Sequence, residues 1–280
     1  MTPRVNRLTG RVLLNLAAVV VIVCSVFPVY WMVNTSLLPS SAIKSATPHL
    51  WPDELTFRSY ITAAGDPAFL SALGISVTVT AITLVTAIVF AFLAAIALSR
   101  FRFRSRKTLI IGVLAIQMIP AEAMIISTFR VLDGWALLNT VIGLSAVYIA
   151  IVLPFTIWTL RGFVNGVPAE LEEAAMIDGC SRTGAFLRVT FPLLAPGLVS
   201  TGIFAFIQAW NEFVFALVIM TRPESQTLPV WLRSFVQATK ATDWSVVMAG
   251  STLMAIPVVI FFLFVQHRMT SGLVSGAVKG

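Results

Sequence analysis

Apolar positions in this chain run in long unbroken stretches instead of alternating with polar ones. Six stretches are long enough to cross a bilayer, which takes about 20 helical residues. They lie at 12–33, 73–98, 108–127, 140–160, 197–219 and 246–265. Four contain no charged residue, the third holds only Glu122 and the fifth only Glu212. In the second, Ser and Thr dilute the apolar pattern. Arg4, Arg7 and Arg11 precede the first span, as in a signal peptide. Its 22 uncharged residues exceed a 7–15-residue signal core, and no small-x-small cleavage site closes it. It reads as a retained helix. The pattern predicts an all-α integral membrane protein with a tail at 1–11, a transmembrane domain at 12–265 and a tail at 266–280.

Composition agrees. Hydrophobic residues make up 58% of the 280 and charged ones 11%, less than half the share that covers a water-facing surface. A soluble enzyme and a nucleic-acid binder are excluded, and the net charge of +7 acquires a membrane meaning. Basic residues favour cytoplasmic loops. The tails and the loops at 99–107 and 161–196 hold 13 Lys and Arg in 71 residues, against 6 in 77 for the other side. Both termini are therefore expected in the cytoplasm. The segment 34–72 falls outside, where Pro39, Pro48, Pro52 and Pro67 break any long helix. Cys24 and Cys180 form no disulfide framework or thiol metal site. His49 and His267, the only histidines, fall on opposite sides, which excludes a histidine dyad.

The loop 161–196 is too polar to span and too patterned to be a linker. Pro168 suits a helix N1 position, and Glu170, Glu172 and Glu173 crowd the first turns, where the helix dipole favours negative charge. Gly179 fits a C′ stop and Ser181 a cap for a second short helix, which Pro192 ends. A helix–turn–helix under the membrane follows. On its first helix Leu171, Ala174, Ala175 and Asp178 share one face by three- and four-residue spacing. Alanine at adjacent positions admits a close partner backbone. A headgroup-bound helix would instead carry Lys and Arg opposite bulky apolar anchors.

Glu173-Ala174-Ala175, Asp178-Gly179, Phe186, Pro192-Leu193 and Pro196 together resemble the EAA loop of bacterial ABC-importer permeases. The stretches 153–163 and 167–173, Trp210-Asn211-Glu212-Phe213, Thr227-Leu228-Pro229 and the tail 272–280 are similar to the carbohydrate-uptake branch, specifically its maltose-type second permease. Departures are slight: Cys180 where Ala is usual, Val189 and Phe191 for Ile and Leu, and Ala136-Leu137 ahead of Asn139-Thr140. The resemblance implies a six-helix, type I ABC-importer permease fold in the bacterial inner membrane. It also implies a second permease as heterodimer partner, two cytoplasmic ATP-binding subunits and an extracytoplasmic solute-binding protein. Glu173, Ala174, Ala175, Asp178, Gly179 and Pro192 would then couple the chain to the ATPase, and the tail would insert between the ATPase subunits. The sequence contains no G-x-x-x-x-G-K-[ST] phosphate loop. ATP and Mg are therefore expected on partner chains, with no cofactor, metal or catalytic residue here.

An ionisable group within a span is costly and normally faces protein or a water-filled path. Gln208, Asn211 and Glu212, at i, i+3 and i+4, would form a polar ridge beside Trp210. Two roles stay open, hydrogen bonding between the two permeases or contact with a hydroxyl-rich solute. Glu122, two residues after Pro120, carries a weaker signal, consistent with a place near the external interface or with partnering a freed backbone group. Pro28, Pro120, Pro154, Pro196 and Pro257 would kink their helices or act as hinges. Competing classes are a stand-alone secondary transporter, which would favour repeat symmetry that the sequence lacks, an importer of glycerol-phosphate-type solutes, and a membrane enzyme.

Overall fold

The computed structural model describes residues 3–43, 47, 49–52, 54–236 and 242–276, with backbone alone at 3–10 and 267–276. The described residues are helical, with no strand. This follows from lipid itself, in which each backbone polar group must be satisfied within the chain. The chain divides into two compact units, Met1–Phe69 with Leu232–Ile256, and Leu70–Trp231 with Pro257–Gly280.

In the first unit α1 (Pro3–Ser36) runs unbroken through Pro28. Its side chains from 11 to 29 are exposed and, apart from Arg11, Asn15 and Ser25, apolar, a surface suited to lipid. Among the described residues the following segment forms the short helices α2 (Ser40–Ile43) and α3 (Arg58–Ala64). Side chains tie it to the end of α1. Tyr30 donates to the Leu50 carbonyl, Asn34 donates to the His49 carbonyl at 2.9 Å, and Ser36 and Tyr60 share a hydroxyl bond of 2.7 Å. Ser40 donates to Asp243 at 2.7 Å. Burial alone would raise the Asp243 carboxyl, but hydrogen bonds from Ser245 and Ser40 outweigh it and hold the group below its ordinary range.

The second unit contains α4 (Phe69–Arg100), α5 (Arg106–Gln117), α6 (Ile125–Gly134) and α7 (Val141–Gly166). It continues through α8 (Glu170–Ile177), α9 (Arg182–Ala185), α10 (Phe191–Trp210), α11 (Val214–Ile219) and α12 (Leu228–Arg233). The last helix, α13 (Trp244–Gly276), passes from the first unit into the second. The Ser and Thr that dilute α4 face inward: Ser76, Thr80 and Thr83 are buried, and Ala87, Ala91 and Ala95 continue that face at four-residue spacing. Small residues let helices approach closely in lipid, where no hydrophobic effect drives them together. Against this ridge pack Val152, Leu160 and Val164 of α7 and Leu194 and Ala205 of α10. A second core gathers Val79, Leu144, Tyr148, Phe215 and Met220.

Three expectations change. The stretch 108–127 is not one helix: α5 stops at Gln117, and a 3₁₀ turn at Ala121–Met124 leads into α6, with a bend of 87°. Pro120 is extended there (φ −59°, ψ 118°). It lacks an N–H and disfavours helix in the residue before it, so the path breaks instead of kinking. Pro28, Pro154, Pro196 and Pro257 by contrast sit inside continuous helices. The stretch 197–219 is also interrupted, because α10 ends at Trp210 and α11 starts at Val214. Pro192 ends no helix. The chain runs from α9 through a π turn (Phe186–Thr190) into α10, and Pro192 lies in the first turn of α10. Proline lacks the N–H that would bond back into the preceding turn, and it falls directly after the irregular π turn, where the regular ladder is already interrupted. Of the expected tail 272–280, residues 277–280 lie outside the described residues.

Candidate functional site

The loop between α7 and α10 builds a small platform. Val167 takes an extended conformation (φ −91°, ψ 116°) ahead of Pro168, which stops α7. Helix α8 begins two residues beyond Pro168, with Glu170, Glu172 and Glu173 in its first turn. It closes in a Schellman motif: Gly179 N–H donates to the Met176 carbonyl at 3.1 Å and Cys180 N–H to the Ala175 carbonyl at 3.0 Å. Gly179 adopts φ +93°, a left-handed conformation that glycine takes without Cβ strain. Ser181 then caps α9, its hydroxyl accepting from Gly184 N–H at 3.1 Å. Glu173, Ala174, Asp178 and Gly179 are exposed and Ala175 is half-buried. Ile177 is 86% exposed, beside exposed Leu171 and Met176.

The acidic residues of α8 divide by role. Glu172 turns inward, where its Oε1 accepts the Thr190 hydroxyl at 2.7 Å and meets Arg100 Nη2 at 3.4 Å. The carboxylate of Glu173 has no partner among the described residues and faces outward.

The other predicted residues meet at a cavity of about 290 Å³. Gln208, Asn211 and Glu212 line it with Glu122, Tyr148, Phe213 and Phe215. They are not a helical ridge, because the helix has ended. Instead Glu212 Oε1 accepts from Phe215 N–H at 2.8 Å and Oε2 from Ala216 N–H at 3.0 Å, so the carboxylate caps α11. Orphan donors at a helix start attract an anion, which explains how this carboxylate is accommodated between two apolar helices. The Tyr148 hydroxyl donates to the Glu212 carbonyl at 3.4 Å. Glu122 arrives from the turn after Pro120, where the chain bends between α5 and α6. No Lys or Arg lines the cavity among the described residues.

At the opposite end of α7, Asn139 takes φ 57°. Its Oδ1 accepts from Arg222 N–H at 2.9 Å, the Ser225 hydroxyl at 3.0 Å and the Thr221 hydroxyl at 3.3 Å. Asparagine tolerates this left-handed backbone better than other non-glycine residues. One side chain thereby organises the loop that follows α11.

Residues 87–273, which include both the α8 platform and the cavity, match the family described as binding-protein-dependent transport system inner membrane component. The chain belongs to this family. Its permease character extends over nearly the full length. It is 46% identical over 273 residues to the diacetylchitobiose uptake system permease protein DasC of Streptomyces coelicolor, covering 98% of this chain and 99% of that one. It is 36% identical to the trehalose transport system permease protein SugB of Mycobacterium tuberculosis, covering 91% and 93% respectively. A chain from the crystal structure of a bacterial ABC transporter that imports the acidic polysaccharide alginate shares the fold, with TM-score 0.79 at 23% identity over 95% of this chain and 98% of that one. The permease is a non-catalytic inner-membrane component of an ABC importer.

Sequence reasoning missed Arg100, Glu172, Thr190 and Ile177. Nothing local distinguishes Glu172 from its acidic neighbours, whereas the apolar Ile177 on a polar loop was a legible signal. For the permease cavity, Glu212→Gln replaces one acceptor oxygen with a donor that faces a backbone N–H. Hydrogen bonds to charged groups contribute about 1.5–3 kcal/mol each. The variant is expected to melt several degrees lower in detergent and to lose uptake. An unchanged melting temperature would show that the carboxylate cap is dispensable.

Proposed function

We propose that the permease forms half of the translocation pathway for a neutral sugar, paired with a second permease. ATP hydrolysis on separate chains drives it through α8, and an external binding protein delivers the solute. The charge bias of the loops supports cytoplasmic termini and a position for α8 on the ATPase side. The exposed face formed by Ala174, Asp178, Gly179 and Ile177 supports docking there: it is small in cross-section, and water-exposed apolar groups such as Ile177 suit a protein partner. ATP and Mg belong to those partner chains.

The observation that carries the solute reading is the cavity wall. It offers a carboxamide from Gln208, another from Asn211, the two carboxylates and Tyr148, with no cation among the described residues to hold a phosphate. Carboxamides and carboxylates suit hydroxyl-rich solutes, and burying an unpaired anion beside carboxylates is unfavourable. This favours a neutral sugar over the glycerol-phosphate class. The uptake-system names of DasC and SugB, a diacetylated amino-sugar disaccharide and trehalose, point the same way.

The test is uptake into vesicles holding the two permeases and the ATPase, supplied with the binding protein. Labelled neutral disaccharides are expected to accumulate with ATP, and glycerol 3-phosphate is expected to be excluded. Comparable accumulation of the phosphate ester would overturn the solute assignment.

A further inference from the structure

The inward face of α8 holds a device that the docking surface does not require. Glu172 lies about 160° round the helix from Ala174, at 100° per residue. Its carboxylate is bound to the Thr190 hydroxyl at 2.7 Å, in the π turn that feeds α10, and meets Arg100 Nη2 at 3.4 Å, on the last residue of α4. The same Arg100 nitrogen donates to the Val167 carbonyl at 3.0 Å, the residue that closes α7. Both side chains are four-fifths covered, at 20% and 18% exposure, and Thr190 is fully buried. One carboxylate and one guanidinium thus gather the ends of three membrane helices around α8.

We propose that Glu172, Arg100 and Thr190 form a clasp that transmits displacement of α8 into α4, α7 and α10. This rests on the reading that α8 receives the ATPase stroke. Without the clasp, α8 is joined to the spans by its backbone turns, at Val167–Pro168 and at Gly179, and by its packing on α9 and the π turn. With the clasp closed, partly desolvated charge-assisted bonds oppose slippage of α8, and the push reaches all three helices together. The π turn is the local weak point at which α10 yields, as π turns are irregularities often found at functional sites. Glu172 is therefore a positioning residue, and its expected signature is lost coupling.

The experiment uses the complete transporter in vesicles with its binding protein, carrying Glu172→Gln, Thr190→Val or Thr190→Ser. The measured quantity is solute transported per ATP hydrolysed. Coupling free energies between sites commonly correspond to fivefold or larger effects. Glu172→Gln and Thr190→Val are each expected to lower that ratio by roughly fivefold or more, while the ATPase chains still co-purify and still hydrolyse ATP. Thr190→Ser keeps the hydroxyl and is expected to retain the ratio, which separates the clasp from general damage near the π turn. A ratio unchanged in Glu172→Gln and Thr190→Val, including one in which uptake and hydrolysis fall in parallel, would overturn the proposal. Ala174→Trp on the docking side, at an exposed position, tests the underlying reading separately. It is expected to release the ATPase chains, and their retention would remove α8 as the docking element whatever the clasp variants do.

Discussion

Gly179→Val is expected to abolish uptake and weaken ATPase attachment about tenfold or more, the equivalent of roughly 1.4 kcal/mol, with the chain still inserted in the membrane. The reason is backbone conformation, since a Cβ built on Gly179 meets nothing within 4 Å. At φ +93° an L-residue is strained by about 1–2 kcal/mol, and a β-branched one is a clear outlier. Relaxing to negative φ would break the bonds from Gly179 N–H to Met176 and from Cys180 N–H to Ala175. Helix α8 would then be re-aimed relative to α9. Gly179→Asn puts a side chain into the same open space, but asparagine takes left-handed backbone readily. It is expected to keep most of the uptake. Co-purification of the ATPase chains with each variant, alongside uptake, is the measurement. Equal loss in both variants would move the effect from the turn to bulk at the docking face. Wild-type behaviour of Gly179→Val would remove the turn from the coupling path.

The second large effect concerns how α7 and α10 are held together. A Cβ on Gly197 would lie 2.4 Å from Cγ of Phe163 and 2.8 Å from both Cδ atoms. These atoms are at the base of the ring, so the ring cannot swing its far end away. The whole side chain must change rotamer, or the helices must separate. Overpacking of this kind costs about 1–3 kcal/mol for a methylene or two. Gly197→Leu, which adds more, is expected to lower the apparent melting temperature in detergent by many degrees and to cut the yield of folded permease. The decisive comparison is the double variant Phe163→Ala with Gly197→Leu. Filling the space that the ring vacates should recover much of the lost stability, a non-additivity expected only of residues in contact. A double variant no more stable than Gly197→Leu alone would show that some other contact excludes the side chain.

Much of the architecture was legible because membrane helices announce themselves locally. Lipid forces the backbone to satisfy its own hydrogen bonds, so a long apolar run becomes a helix almost wherever it occurs. The α8 turn was legible for a similar reason: Gly179 and Ser181 act on their immediate neighbours, and both occupy the expected capping roles. The prolines were not resolved this way. Pro120 breaks its helix by 87°, while Pro154 and Pro196 lie within unbroken ones. The amino acid is the same, so the proline alone does not decide the outcome. Gln208, Asn211 and Glu212 were recognised as a set, yet Glu212 does its work as the cap of a new helix. Their periodicity concealed the end of α10.

The sequence alone determined that the chain lives in the membrane, where most of its helices run, which loop carries the short helix α8 and where that helix stops. Those properties follow from hydropathy and from turn chemistry spanning a few residues. Only the tertiary structure decided that Glu172 rather than Glu173 faces inward, that Arg100 and Thr190 meet it, and that Glu122 joins Glu212 at one cavity. Arg100 and Thr190 stand 90 positions apart, as do Glu122 and Glu212. No periodic pattern links residues so distant. Their meeting is set by how the alanine ridge of α4 seats α7 and α10, a matter of side-chain volume across three helices at once.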